Sequence, residues 1–206
     1  MTTPNITDIL NSALRRVGSS RLETGDTSSH LYTTVFEAYN DAVLEIFSEN
    51  IFNYNTKKAA LTATNSTSPT TDTQFEYNYS LPADFNVLKY LTNKENTLLI
   101  KDYTFYDNQI HTNEKEMCMY YSYIPDLSSS ASGLPAFLNR LLALHIAQSI
   151  AIEISGDNNR HEILYIQYTA ALKRARVMDA RQGGAQTYIG DNNSRIIEAH
   201  QAYGSV

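Results

Sequence analysis

Five histidines, one cysteine and 22 acidic residues are the side chains from which this 206-residue chain could build a reactive centre. His30, His111, His145, His161 and His200 each stand without a second His, Cys, Asp or Glu at metal-ligand spacing. His161-Glu162 lacks the histidine four residues on that a zinc helix needs. His145 falls in the most apolar helical stretch, where a satisfied core or interface histidine outweighs a ligand. Cys118 lies between Met117 and Met119 in a strand pattern, and no motif brings a base near it. A buried, unreactive thiol is expected there rather than a nucleophile.

Oxygen and phosphate chemistry fare no better. Asp157-Asn158-Asn159 and Asp191-Asn192-Asn193 lack the alternating ligands and terminal Glu of a calcium loop, and read as caps and turns. Gly183-Gly184 is followed by neither Lys-Ser nor a helix, so it cradles no phosphate. Lys173-Arg174-Ala175-Arg176 is the best nucleic-acid candidate, yet on a helix it spreads over more than one face. The whole chain carries 16 basic residues against 22 acidic ones, a net charge of -6. Phosphate counterions are replaced by clustered Lys and Arg, so general affinity for nucleic acid is disfavoured. The expectation is a protein with no catalytic residue, no metal and no cofactor.

The elements that position these residues follow from periodicity. Ile6, Ile9, Leu10, Ala13, Leu14 and Val17 recur at steps of three and four, and Gly18 supplies a stop. A second helix starts after Gly25-Asp26-Thr27-Ser28 and runs through Leu31, Val35, Ala38, Ala42 and Ile46. A third starts at Leu134-Pro135, is apolar round most of its girth, and stops before Gly156. Asn139, Arg140, His145, Gln148 and Glu153 interrupt its apolar run, which argues against a membrane span. The fourth starts after Asp157-Asn158-Asn159 and uses Ile163, Leu164, Tyr168, Ala171, Leu172, Ala175 and Met178, with Lys173, Arg174, Arg176 and Arg181 in its second half.

Between the second and third helices the period changes to two. Phe75, Tyr77, Tyr79 and Leu81 alternate with Glu76, Asn78 and Ser80, and 87–91, 98–101 and 117–123 also read as strands. Turns fall at Leu81-Pro82-Ala83-Asp84, Tyr106-Asp107-Asn108 and Pro125-Asp126. The Thr-, Ser- and Asn-rich stretch 62–73 reads as an exposed loop, and 128–133 as a second. The predicted class is α+β: a four-helix bundle with a β-rich lobe inserted between helices two and three, and an extended C-terminal tail. The expected boundaries are 1–55 and 128–182 for the helices, 56–127 for the lobe and 183–206 for the tail. Hydrophobic residues make up 42%, enough for a real core. The single cysteine excludes an internal disulfide, and the opening Met1-Thr2-Thr3-Pro4-Asn5 has no signal-peptide pattern, as expected for cytoplasmic folding. The 15 tyrosines, beside 7 Phe and no Trp, suit either strand edges or protein–protein contacts.

In this order the pieces resemble the head-to-tail adaptor, or tail tubular protein A, family of short-tailed (podovirus-type) phages. The residues that carry the likeness are Ala13-Leu14-Arg15-Arg16-Val17-Gly18, and then Ile51-Phe52-Asn53-Tyr54, where relatives often have Trp-x-Phe. They continue with Phe75-Glu76-Tyr77-Asn78-Tyr79-Ser80-Leu81-Pro82-Ala83-Asp84-Phe85, with Tyr120-Tyr121-Ser122-Tyr123 before Pro125-Asp126, with the helix from Pro135, and with the Ala- and Arg-bearing turns of 170–180. Trp is absent, and the segment after Gln182 matches only loosely.

The resemblance implies a structural virion protein, not an enzyme. It implies a homo-oligomeric dodecameric ring in the virion neck and tail, assembled in the host cytoplasm. Its partners would be the portal protein, a tubular protein B-like tail nozzle and tail fibres, with DNA only as cargo in the lumen and no membrane. The alternative is another phage neck, head-completion or fibre-attachment protein. On this reading Arg174, Arg176, Arg181, Tyr188, Ile189, Arg195 and Tyr203 are expected to contact the portal or a neighbouring subunit. Tyr103, Phe105 and Tyr106, in a tip loop of 102–108, are expected to contact the nozzle or fibres, since exposed aromatics dominate interface hot spots.

Overall fold

The structure is a computed structural model that describes residues 5–23, 25, 27–63, 75–128, 131 and 133–182. Its elements run α1 (Ile6–Val17), α2 (His30–Glu49), β1 (Thr56–Leu61), β2 (Tyr77–Ser80), β3 (Val87–Asn93), β4 (Leu99–Ile100), β5 (Tyr103–Tyr106), β6 (Gln109–Thr112), β7 (Met117–Ser122), α3 (Ala136–Ser155) and α4 (Asn158–Gln182). The fold is α+β, with antiparallel sheets ordered β1-β7-β3-β4 and β2-β6-β5. Two compact units result. One holds all four helices together with 82–89 and 120–127; the other holds the described parts of 59–81 and 90–119. Three stretches of the expected 56–127 lobe, 56–58, 82–89 and 120–127, thus cluster with the helices.

In the helical unit, α3 packs against α1, α2 and α4. Leu138, Leu141, Leu142, Leu144, Ile146 and Ile150 are buried there, along with the small Ala143, Ala147 and Ala151. Among the described residues α3 is also the one helix long and apolar enough to cross a membrane. Enclosure by three helices accounts for that apolarity, since more than half of its apolar stretch is buried inside the protein.

The helix ends show why the chain turns where it does. Asn5 and Asp8 form a capping box on α1, and Gly18 closes it in the left-handed region at φ 77°. The Arg160 guanidinium donates to the Val17 carbonyl at that same end. The cap of α2 is Ser29, whose hydroxyl accepts from the Tyr32 N–H. Pro135 stands at the N-cap of α3 and Gly156, at φ 64°, ends it. For α4 the cap is Asp157 alone, which accepts from the Arg160 N–H at 3.2 Å; Asn158 and Asn159 already lie in the helix.

The C-terminus of α2 has neither glycine nor a basic side chain, and asparagines satisfy its open carbonyls instead. Asn50 Nδ2 donates to Ile46 O at 2.9 Å, and Asn86 Nδ2 to Phe47 O at 3.2 Å. Asn55 is fully buried: its Nδ2 donates to Phe47 O, Asn50 O and Tyr123 O, and its Oδ1 accepts from the Phe52 N–H at 2.7 Å. Next to this knot, both carboxylate oxygens of Asp179 accept from the Asn53 N–H, at 3.0 and 2.9 Å, and Asn53 Nδ2 donates to Asp179 O. Burial raises the Asp179 carboxyl above the usual carboxylate range, against the opposing pull of Asn53 and Lys89.

The turn Leu81-Pro82-Ala83-Asp84 has a structural job as well. Asp84 accepts from Lys57 Nζ at 2.6 Å and from the Tyr121 hydroxyl at 2.8 Å. The Lys57 bond first, then the Tyr121 bond, hold its carboxyl below the usual range.

In the second unit the structure corrects the loop expected over 102–108. Tyr103–Tyr106 is β5, paired with β6 from Tyr103↔Thr112 to Tyr106↔Gln109. Only Asp107 and Asn108 turn, at φ 49° and 56°. A two-residue turn with both residues in the left-handed region is type I′, which favours Asn and Asp and matches the twist of a hairpin. Strands β1 and β6 also form where periodicity alone predicts none. Cys118 is buried, as expected.

Replacing Asn55 with Ala takes a donor from Asn50 O, Tyr123 O and Phe47 O, of which Phe47 O keeps Asn86, and strands the Phe52 N–H; it should cost about 3 kcal/mol in denaturant unfolding. The folded carboxyl of Asp179 is raised, so its contribution is full at low pH and is lost as pH rises through that raised value. The stability gap between the wild type and Asp179→Asn should therefore move in favour of Asn as pH climbs from the acid side to neutrality. A gap independent of pH would contradict the assigned burial.

Candidate interaction surface

Helix α4 presents apolar residues on two opposite sides. Leu164, Ala175 and Asp179 are buried, with Tyr168, Ala171 and Leu172 packed against the same core. On the other side Ile163, Ile166 and Val177 are 55%, 66% and 52% exposed, and Ala170 is exposed between them. Steps of three, four and seven put these four on one stripe about 21 Å long. Single exposed apolar side chains are ordinary, whereas a stripe opposite the core face marks a contact surface.

At its N-terminal end the stripe borders a groove of about 500 Å³ lined by Gln148, His161, Glu162, Tyr165 and Ile166. His161 Nδ1 lies 2.9 Å from Gln148 O and ties the first turn of α4 to α3. Ile152 on α3 and Tyr165 add further exposed apolar area.

The basic residues of α4 divide by role. Arg176 donates to Asn50 Oδ1 from Nε at 3.3 Å and from Nη2 at 2.9 Å, which fastens α4 to the end of α2. It staples these two elements while itself remaining exposed. Arg174 and Arg181 are exposed and have no ion-pair partner among the described residues. Tyr188, Ile189, Arg195 and Tyr203, expected to share this contact, lie outside the described residues, as does most of 62–73.

The other expected contact set sits on β5. Phe105 is 43% and Tyr106 58% exposed, whereas Tyr103 is half-buried, edge-on to the Phe105 ring at 6.1 Å. Tyr106 leans on buried His111, with 6.2 Å between ring centres. Two of the three aromatics therefore offer open area, Phe105 resting on Tyr103 and Tyr106 on His111.

Of the described chemistry-bearing residues, His111, His145 and Cys118 are buried, whereas His30 is exposed and His161 half-buried. Among the described residues no group of three or more His, Cys, Asp or Glu could hold a metal ion. His145 is buried, with Nε2 3.2 Å from Glu45 Oε2 and its ring edge-on to Tyr168 at 4.9 Å. The hydroxyl of Tyr39 donates to Leu127 O, and burial pushes it up to about 12, beyond use as a base.

Reading one apolar set per helix assigned Ile163 to the core and passed over Ile166, Ala170 and Val177. The available signal was a second set at helical spacing, offset by half a turn from the first. Compared with known proteins, the chain matches no protein-family model, and no curated protein matches it.

Exposure makes a direct prediction. Ile166→Lys should change unfolding stability by no more than about 0.5 kcal/mol, while Leu164→Ala, on the opposite side, should cost about 3 kcal/mol. Similar losses for both would mean that the stripe is core.

Proposed function

We propose that this chain is a structural virion protein, a head-to-tail adaptor subunit that joins a portal to a tail nozzle in a closed ring. The observation that carries the reading is the doubly apolar α4. A ring subunit needs a stiff element that buries one side in its own core and offers the other to a neighbour. The helices act as a four-helix bundle, with the β-rich segment inserted between α2 and α3 as a contact lobe and the chain after Gln182 as an extended docking tail. The resemblance of the tyrosine strand and the Leu81-Pro82-Ala83-Asp84 turn to the adaptor family supports the same assignment.

In this role the protein catalyses nothing and holds no cofactor. It works in the virion neck after assembly in the host cytoplasm. Phe105 and Tyr106 supply desolvatable aromatic area for the nozzle or fibres. The acidic balance keeps a lumen from gripping the DNA that passes as cargo. Arg174 and Arg181, with the tail, face the neighbouring ring components.

Electron-microscope images of the purified protein, alone and with its portal, test this. Closed rings seated on portals are expected. A chain cut after Gln182 should keep its melting temperature and fail to seat. A wild-type chain that ignores portals would refute the proposal.

A further inference from the structure

The exposed face of α2 is the electrostatic counterpart of the exposed face of α4. Helix α2 carries Glu37, Asp41, Glu45 and Glu49 and has no Lys or Arg along its twenty residues. Its core side uses Val35, Tyr39, Ala42, Val43, Ile46 and Phe47. Directly opposite, at steps of four and three, stand Glu37, Asp41 and Leu44, all exposed, Leu44 by 55%. Glu37 and Asp41 have no ion-pair partner among the described residues. The α4 face offers the reverse: Arg174 and Arg181 beside the stripe from Ile163 to Val177.

From this we infer that the outer face of α4 docks onto the outer face of α2 of a second copy of this chain. Both helices belong to one compact unit and both pack on α3, so each turns its outer face away from the shared core. An acidic face with one apolar knob and a basic face with an apolar stripe are unlike surfaces. Their pairing is heterologous, the kind that propagates by rotation and closes into rings. Like-charged juxtaposition disfavours α4 on α4 and α2 on α2, which selects the head-to-tail arrangement. The inference rests on the homo-oligomeric reading above and adds which faces meet.

Charge reversal on the full chain tests it, read by sedimentation velocity at low salt. Arg174→Glu with Arg181→Glu leaves both faces acidic, and Glu37→Arg with Asp41→Arg leaves both basic. Each double variant should keep the wild-type melting temperature and self-associate about tenfold more weakly or worse. Mixing the two restores an opposite-charge pair at every joint, and should recover the wild-type association. If the wild type self-associates and neither reversal matters, the α2–α4 pairing is overturned while the ring reading stands. If only the α4 reversal matters and mixing rescues nothing, that face serves another partner and the pairing falls. A wild type that stays monomeric at every concentration overturns the pairing and counts against the ring as well.

Discussion

A helix that is apolar round most of its circumference cannot be satisfied by one neighbour, and α3 imposes that demand on the rest of the chain. Its inward side chains need α1, α2 and α4 together, though these come from opposite ends of the sequence. Water is excluded only when the chain has travelled through seven strands and come back. The helical core is therefore built from distant segments, and the strands between α2 and α3 must let the chain return to its starting point. Each buried leucine of α3 contributes about 2 kcal/mol by area alone, more than any exposed ion pair in the molecule can.

Apolar enclosure sets no register, and polar joints supply it. The end of α2, the turn 50–56 and the last turns of α4 are joined by Asn50, Asn53, Asn55, Arg176 and Asp179, every one donating to or accepting from a backbone or amide group. Such bonds add little net energy each, but any misplacement leaves a buried carbonyl unpaired and costs more than the bond returned. That asymmetry fixes where α4 lies along α2, and hence which of its residues face out. The outer stripe is a by-product of a register chosen inside.

The helices were legible because their signals are local: apolar steps of three and four and glycines at positions 18 and 156; the cap of α2, however, is Ser29, one residue past the expected cluster 25–28. The whole β-hairpin of β5 and β6 was harder to read. Asp107-Asn108 declared a turn, yet the pairing that turns Tyr-Thr-Phe-Tyr from loop into strand is made across the turn and leaves no period of its own. The segment Thr-Lys-Lys-Ala-Ala-Leu of β1 has still less intrinsic strand preference and owes its form to its place beside β7. Of the expected contact residues, Arg174, Arg176 and Arg181 are all exposed, and charge alone does not single out Arg176 as the one that bonds Asn50, 126 positions away. The burial of Asp179 was invisible for the same reason.

The amide of Asn55 sits with its nitrogen among three carbonyl oxygens and its oxygen against one N–H. Hydrolysis of that amide would change almost nothing in shape, yet it would put an oxygen where the nitrogen stood and a negative charge among lone pairs. Truncation merely takes one donor away from those carbonyls; conversion to a carboxylate sets them against it. The ageing of one side chain at this joint would loosen the fold from within while its outer surface stayed intact.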